Sequence, residues 1–315
     1  MLEKYEIVKD MFAKFKYADY FAAAEGARTE IQTAAIDYIL NLEDGAERFK
    51  TAVTALSYAY SIAIPNDEAL KIRDEVAFFQ AIKAGLVKLE PEFKGGPTQD
   101  DYDLAIKQII ADAVVSDEVI DIFKASGLKT PNLSVLSDEF LADVQDMEHK
   151  NLALEILKKL LNEEVRALAE KNLVASRSFL QMLEDTIKKY QSRTITSAQV
   201  IVELVRMAKE IKKEHEKGKE LGLSDEEVAF YDALAENESA VSELGDKVLR
   251  QMSQELLEII RRNASIDWTR REAVQAKLRI YVKRLLKKYN YPPDKQERAT
   301  KTVLEQAELL AKDWN

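Results

Sequence analysis

The sequence predicts an all-α fold, a multi-helix bundle that forms either one body or two helical subdomains. Three observations carry that reading. Nine Gly and six Pro in 315 residues leave few helix breakers, so long uninterrupted helical segments are available. Apolar residues recur at three- and four-residue spacing from end to end, which is the period of a helix with one buried face. Val, Ile and Thr nowhere alternate between turn signals as a half-buried strand requires.

The elements follow in order. Arg48 to Ile64 carries Phe49, Val53, Leu56 and Tyr60 on one face, and Pro65 stops it. Asn66 or Asp67 caps the next segment, where Leu70, Val76, Phe79 and Leu86 form a stripe that runs through Leu89. Pro91, then Gly95, Gly96 and Pro97, make the clearest break in the chain, either a domain boundary or a loop within one domain. Asp100 to Val115 resumes a helix, Ser116 opens another, and Gly127 with Pro131 makes a second break. From Ser137 to Ala169, Phe140, Val144, Met147, Leu154, Leu157 and Leu161 keep near-heptad spacing and open a long helix-rich half.

Ser176 to Arg193 and Thr196 to Lys217 read as two arms of an antiparallel pair that turns at Arg193-Thr194-Ile195, with Gly218 and Gly222 ending the second arm. Ser224 opens the next helix with SDEE, an N-cap followed by acids that complement the helix dipole. Thr269 caps a basic helix that reaches Tyr289, Pro292-Pro293 ends it, and Lys295 to Leu310 forms the last helix. The expected organisation is an N-terminal helical subdomain over 1–94, a linker with short helices over 95–136, and a C-terminal bundle over 137–315 that contains the basic helix 269–289.

Composition narrows the function classes. There is no Cys, which removes disulfide frameworks and thiolate metal sites and fits a reducing cytoplasm. The opening MLEKYEIVKD has no signal-peptide core, and no apolar run approaches a membrane span. A cytoplasmic protein without membrane partners is the expectation.

The net charge of -10 conceals an asymmetry. From Glu214 to Asp246 there are eleven acids against two Lys, a net of -9, and from Thr269 to Lys301 eleven Lys or Arg against three acids, a net of +8. Adjacent blocks of opposite sign either neutralise each other in the fold or turn one block toward a charged partner.

Catalytic signatures are missing. No phosphate loop of the GxxxxGK[ST] type and no GxSxG elbow occurs. His215-Glu216 begins like a zincin helix, but position 219 is Lys where the second His belongs, so Glu214 to Lys219 reads as a solvated charge run. Glu92-Phe93-Lys94 and Glu148-His149-Lys150 match the bare ExK spacing of Mg-dependent nucleases. Both lie in helix or loop sequence, where the rigid strand setting of that site is lacking. No catalytic, cofactor-binding or metal residue is assigned.

The basic helix is the strongest physical signal. Val274, Leu278, Val282, Leu285 and Leu286 form its apolar face. Arg270, Lys277, Arg284 and Lys288 lie along one flank, Arg271 stands beside Arg270, and Arg279, Lys283 and Lys287 repeat at i, i+4 and i+8. Three readings are open: a ridge against DNA phosphates, a solvated face of a packed helix, or a partner for the acidic stretch 225–246, in this fold or on another protein. Replacing Lys277, Arg284 and Lys288 would flatten the salt dependence of a DNA contact. Trp268 and Tyr231 are interface candidates, although Tyr231 with Phe230 also suits a core anchor.

The strings EEVAFYDALAENESAV (226–241), Ile266-Asp267-Trp268-Thr269 and YPPDKQ (291–296) closely resemble the C-terminal helical region of the restriction (R) subunit of type I restriction-modification enzymes. IRDEVAFFQAIKAGLVK (72–88) and YQSRTITSAQVIVELVRMAKEI (190–211) extend the resemblance over essentially the whole chain, most weakly over 92–136.

The resemblance implies a complete subunit with a Mg-dependent nuclease domain and two ATP-driven helicase-like domains ahead of this region. It also implies assembly with methyltransferase and specificity subunits, DNA translocation, and cleavage remote from the recognition sequence. This chain would then follow the catalytic domains as a piece or a separately encoded remnant. It would be non-catalytic alone, docking the motor toward the methyltransferase–specificity core and touching DNA, if at all, without sequence preference. The competing expectations are a free-standing helical protein-interaction scaffold and an autonomous nuclease using Glu92 or Glu148.

Overall fold

The computed structural model describes residues 1–64, 66–90, 137–263 and 272–311, and among these every regular element is helical. Fourteen α-helices follow one another: α1 Leu2–Asp10, α2 Asp19–Ala22, α3 Glu25–Leu40, α4 Gly45–Ala63, α5 Asp67–Lys71, α6 Arg73–Lys88, α7 Asp138–Asp146, α8 Lys150–Ala169, α9 Leu173–Gln191, α10 Ser197–Leu221, α11 Asp225–Ala235, α12 Glu238–Asn263, α13 Glu272–Lys288 and α14 Gln296–Leu310. Two compact units result, residues 1–160 with 195–205, and residues 161–194 with 206–315. The expected linker at 95–136 lies outside the described residues, as do Thr269 and the breaks at Gly95 and Pro131.

The first unit is organised by aromatic rings. The short α1 ends at Asp10, and the chain turns so that Phe12, 2% exposed, enters the space between α3, α4 and α6. Its ring lies 5.4 Å from Phe49, 5.7 Å from Phe79 and 5.9 Å from Phe78, edge-on to the first and stacked on the second. Aromatic pairs at such separations add to simple burial because positive ring edges meet negative faces. Tyr5 and Tyr17 both donate to Glu75 Oε2, at 2.9 and 2.6 Å. Burial pushes the Tyr5 hydroxyl up to about 12, and the bond to Glu75 adds to it.

Caps set the helix boundaries. Asn66 accepts from the Glu68 N–H and opens α5, and Ser137 accepts from Phe140 and opens α7. The near-heptad stretch 137–169 is divided between two helices. Met147 adopts φ -50, ψ 137 and ends α7, because α8 has a better start of its own. The Asp37 carboxylate on α3 accepts from the Asn151 and Leu152 N–H groups at 2.9 and 3.0 Å, an N-terminal cap reached across 114 residues. Heptad spacing continues across the break because the apolar residues on both sides stay buried, so the pattern alone did not reveal it.

The second unit is built around α11. Its residues Val228 to Leu234 are all buried, and it packs against α9, α12 and α14. A capping box starts it, Ser224 accepting from Glu227 and Glu227 from Ser224. α13 closes the unit on α12 and α14, burying Leu278, Val282, Leu285 and Leu286. Buried polar groups tie the helices where apolar contact leaves backbone unpaired. Gln306, fully buried, accepts from the Leu173 N–H and donates to the Lys171 carbonyl, both at 2.8 Å. The Tyr291 hydroxyl donates to the Leu234 carbonyl at 2.8 Å. Phe230 and Tyr231 anchor α11 in this core, at 0% and 7% exposure.

Two glycines shape this unit. Gly222 (φ +67) follows α10, and the Leu223 N–H returns to the Gly218 carbonyl at 2.8 Å, the six-to-one bond of a Schellman cap. Gly245 (φ +73, ψ 164) interrupts α12 in a region essentially open to glycine alone, bending the helix after its first two turns.

Arg193 (φ +56) makes the same kind of cap after α9, with Thr194 N–H bonded to the Lys189 carbonyl at 2.9 Å. A side chain in this left-handed conformation carries a cost of about 1 kcal/mol that glycine avoids. Arg193→Gly is therefore expected to raise stability by about that amount, read as a higher urea midpoint with an unchanged slope.

Candidate interaction interface

α13 exposes a cationic half-cylinder, and its two edges are already engaged. On one edge Lys283 pairs with Glu297 of α14, and the hydrogen bond holds the Glu297 carboxyl below the usual carboxylate range. On the other edge Lys288 bonds Glu255 of α12 at 2.7 Å, and the Tyr289 hydroxyl joins at 2.8 Å. These bonds, the one to Lys288 foremost, lower the Glu255 carboxyl. Lys277 leans over the Tyr281 ring, 5.6 Å from its centre. Between the edges Arg284 and Lys287 are exposed and form no ion pair with any described residue.

Alongside, α13 and α14 enclose a groove of about 670 Å³ whose walls include Arg279, Lys283, Arg298 and Lys301, with Glu297, Glu305 and Glu308 between them. Arg270, Arg271 and Trp268 lie outside the described residues. Tyr231, an interface candidate on sequence grounds, has its ring inside the core and donates to Asp246 at 2.9 Å.

Among the described residues the acidic stretch is paired with cations outside the basic helix. Its carboxylates find other cations: Lys171 for Asp225, Arg261 for Glu226, Lys217 for Asp232 and Arg298 for Glu236. Among the described residues no ion pair joins 272–288 to 225–246. α12 and α14 flank the helix, and the carboxylates they bring to its cations are Glu255 and Glu297.

The solvated run expected at Glu214 to Lys219 is overturned at its centre. Glu214 and Lys217 side chains are 17% and 28% exposed. The Lys217 ammonium lies 3.3 Å from Glu214 and bonds Asp232, whose other oxygen accepts from Asn172 at 2.6 Å. Asn172 also caps α9 through the Ala175 N–H. Next to Glu214 in the chain, His215 bonds the nearly buried Glu164 at 3.2 Å. The signal in the sequence was the buried stripe Leu204, Ala208, Ile211, which continues at helical spacing onto Glu214 and Gly218. Polar residues on a core-facing stripe require partners.

Burial pushes the Glu214 carboxyl up to about 7, with the Asp232 charge adding to it. Burial opposes the Lys217 ammonium, but the two carboxylates more than offset it and its pKa is raised. The bond to Glu164 raises His215. For Glu214 and His215 the folded pKa exceeds the unfolded one, so their stabilisation is complete at low pH and is lost as pH rises through the folded value. Stability is expected to fall by roughly 2 kcal/mol between pH 5.5 and 8.5. Glu214→Gln should remove most of that slope, as measured by urea midpoints across the range.

Among the described residues no group of three or more His, Asp or Glu is placed to hold a metal ion, and no helix is long and apolar enough to cross a membrane. Glu148 stands exposed between α7 and α8, and Lys150 donates to the Gln145 carbonyl at 2.8 Å. Glu92 and Lys94 lie outside the described residues.

A family model described as type I restriction enzyme HindI endonuclease subunit-like, C-terminal, matches residues 1–313. The chain belongs to this family. It is similar to the type I restriction enzyme HindI endonuclease subunit of Haemophilus influenzae, 36% identical over 239 residues, which is 76% of this chain and 22% of that protein. It is likewise similar to a putative type I restriction enzyme MjaIXP endonuclease subunit of Methanocaldococcus jannaschii, 32% identical over 295 residues, 91% of this chain and 28% of that protein. The chain thus spans about a quarter of the length of these curated relatives. No solved structure matches it. Two of the strings that carried the resemblance, 226–241 and 291–296, map onto α11 and its connection to α12, and onto the Tyr291 turn that hydrogen-bonds back to α11, while 266–269 lies outside the described residues.

Proposed function

We propose that this chain acts as the C-terminal assembly region of a type I restriction endonuclease (R) subunit. It would perform no bond chemistry itself and would link the subunit's ATP-driven motor to a methyltransferase–specificity core. The observation that carries the reading is the family match over residues 1–313. The chemistry on offer supports it: two helical units with packed cores and a cationic helix whose central charges are uncommitted. Each unit offers helix faces that a partner would bury. ATP and Mg²⁺ would serve the nuclease and motor parts of the complete subunit.

The test is co-elution of the purified chain with the cognate methyltransferase–specificity complex, with and without a short duplex, at moderate salt. Association without DNA is the expected result. Association only with DNA would shift the role to a nucleic-acid contact, and no association in either case would sink the proposal.

A further inference from the structure

The solvent crest of α13 holds an apolar residue where a purely solvated helix would carry a polar one. Ile280 is 51% exposed, and at 3.6 residues per turn it projects between Arg284 on one side and Lys287 on the other. Both cations are exposed and form no ion pair with a described residue. Lys283 and Lys288, further round the helix, are held by Glu297 and Glu255.

Arg284 and Lys287 would suit any anionic surface, so it is the apolar residue between them that discriminates between partners. Phosphates would leave Ile280 in water. An amphipathic helix with an apolar ridge flanked by acids would cover Ile280 and meet Arg284 and Lys287, as flanking charges do beside the seam of a coiled coil.

We propose that the Ile280–Arg284–Lys287 crest of α13 is the docking site for an acidic amphipathic helix of a protein partner. The assignment rests on the assembly role proposed above and gives that role a surface.

Binding of the full chain to the cognate methyltransferase–specificity complex, and separately to a short duplex, tests it with two variants, Ile280→Ser and Arg284→Glu/Lys287→Glu. Because all three side chains lie in solvent, unfolding midpoints should be unchanged. Ile280→Ser is expected to weaken binding to the complex about tenfold, and the charge reversal more than tenfold. If wild type binds the complex and both variants bind equally well, the crest is not the site, and the assembly role survives without it. Duplex binding that is lost on charge reversal but indifferent to Ile280→Ser, with binding to the complex unaltered, would make the crest a nucleic-acid site and overturn the proposal. Failure of the wild type to bind the complex would overturn the assembly role and this assignment together.

Discussion

Replacing Lys217 with Met is expected to destabilise the second unit by about 2–4 kcal/mol at pH 8, among the largest effects of any single substitution in this chain. The ammonium serves Glu214 and Asp232 at once. Methionine fills the space but leaves two buried carboxylates facing each other without a cation, and Asn172 can satisfy only one oxygen of Asp232. The remedy available to the protein is protonation. Glu214, already pushed up to about 7 with Lys217 present, would rise further without it, because the cation that lowers it is gone. The defect should therefore shrink as pH falls, and at pH 5.5 the variant should approach wild type. Urea unfolding at both pH values measures this. An equal loss at the two pH values would mean that Lys217 contributes by packing its methylene stem and not by its charge.

The second large effect is expected in the other unit. Phe12→Ala should cost about 3–5 kcal/mol, the range for removing a fully buried aromatic ring. Phe12 lies in no helix, so nothing is lost from helix propensity, and the whole effect comes from the hole left among Phe49, Phe78 and Phe79. Because those rings belong to α4 and α6, the cavity has rigid walls and collapses poorly. Phe12→Leu, which refills part of the volume, should recover at least half of the loss. If Phe12→Ala lowers the unfolding midpoint by no more than an exposed substitution such as Tyr58→Ala, the ring cluster is not what holds α1 and its turn to the unit.

The two effects differ in how far they could be anticipated. Phe12 sits in a stretch with no helical period of its own, and its burial depends on α3, α4 and α6 meeting at one point. Lys217 stands in a run of charges, and charge runs on helices usually face water. What set this one apart was position: the core stripe of α10 runs from Leu204, Ala208 and Ile211 toward Gly218, which carries Glu214 and Lys217 to the edge of the packed face. The candidate interface was more legible, since spacing alone placed the cationic rows of α13 opposite its apolar face. Which cations remain uncommitted was not, because Glu255 and Glu297 lie on helices 33 and 14 residues away in the chain.

By itself the sequence determined the helical class, the caps at Asn66 and Ser224, the family, and the apolar faces of α4 and α13. All of these depend on residues within a few turns of one another, where period and hydrogen-bonding geometry are local. Tertiary structure decided the break at Met147, where Asp37 supplies a cap from α3. It also decided the pairing of Lys217 with Asp232, the burial of Tyr231, and the division of the α13 cations into engaged edges and an open crest. Each of these depends on which helix becomes the neighbour of which. A charge or a donor has no fixed role until a partner distant in sequence arrives within hydrogen-bonding reach.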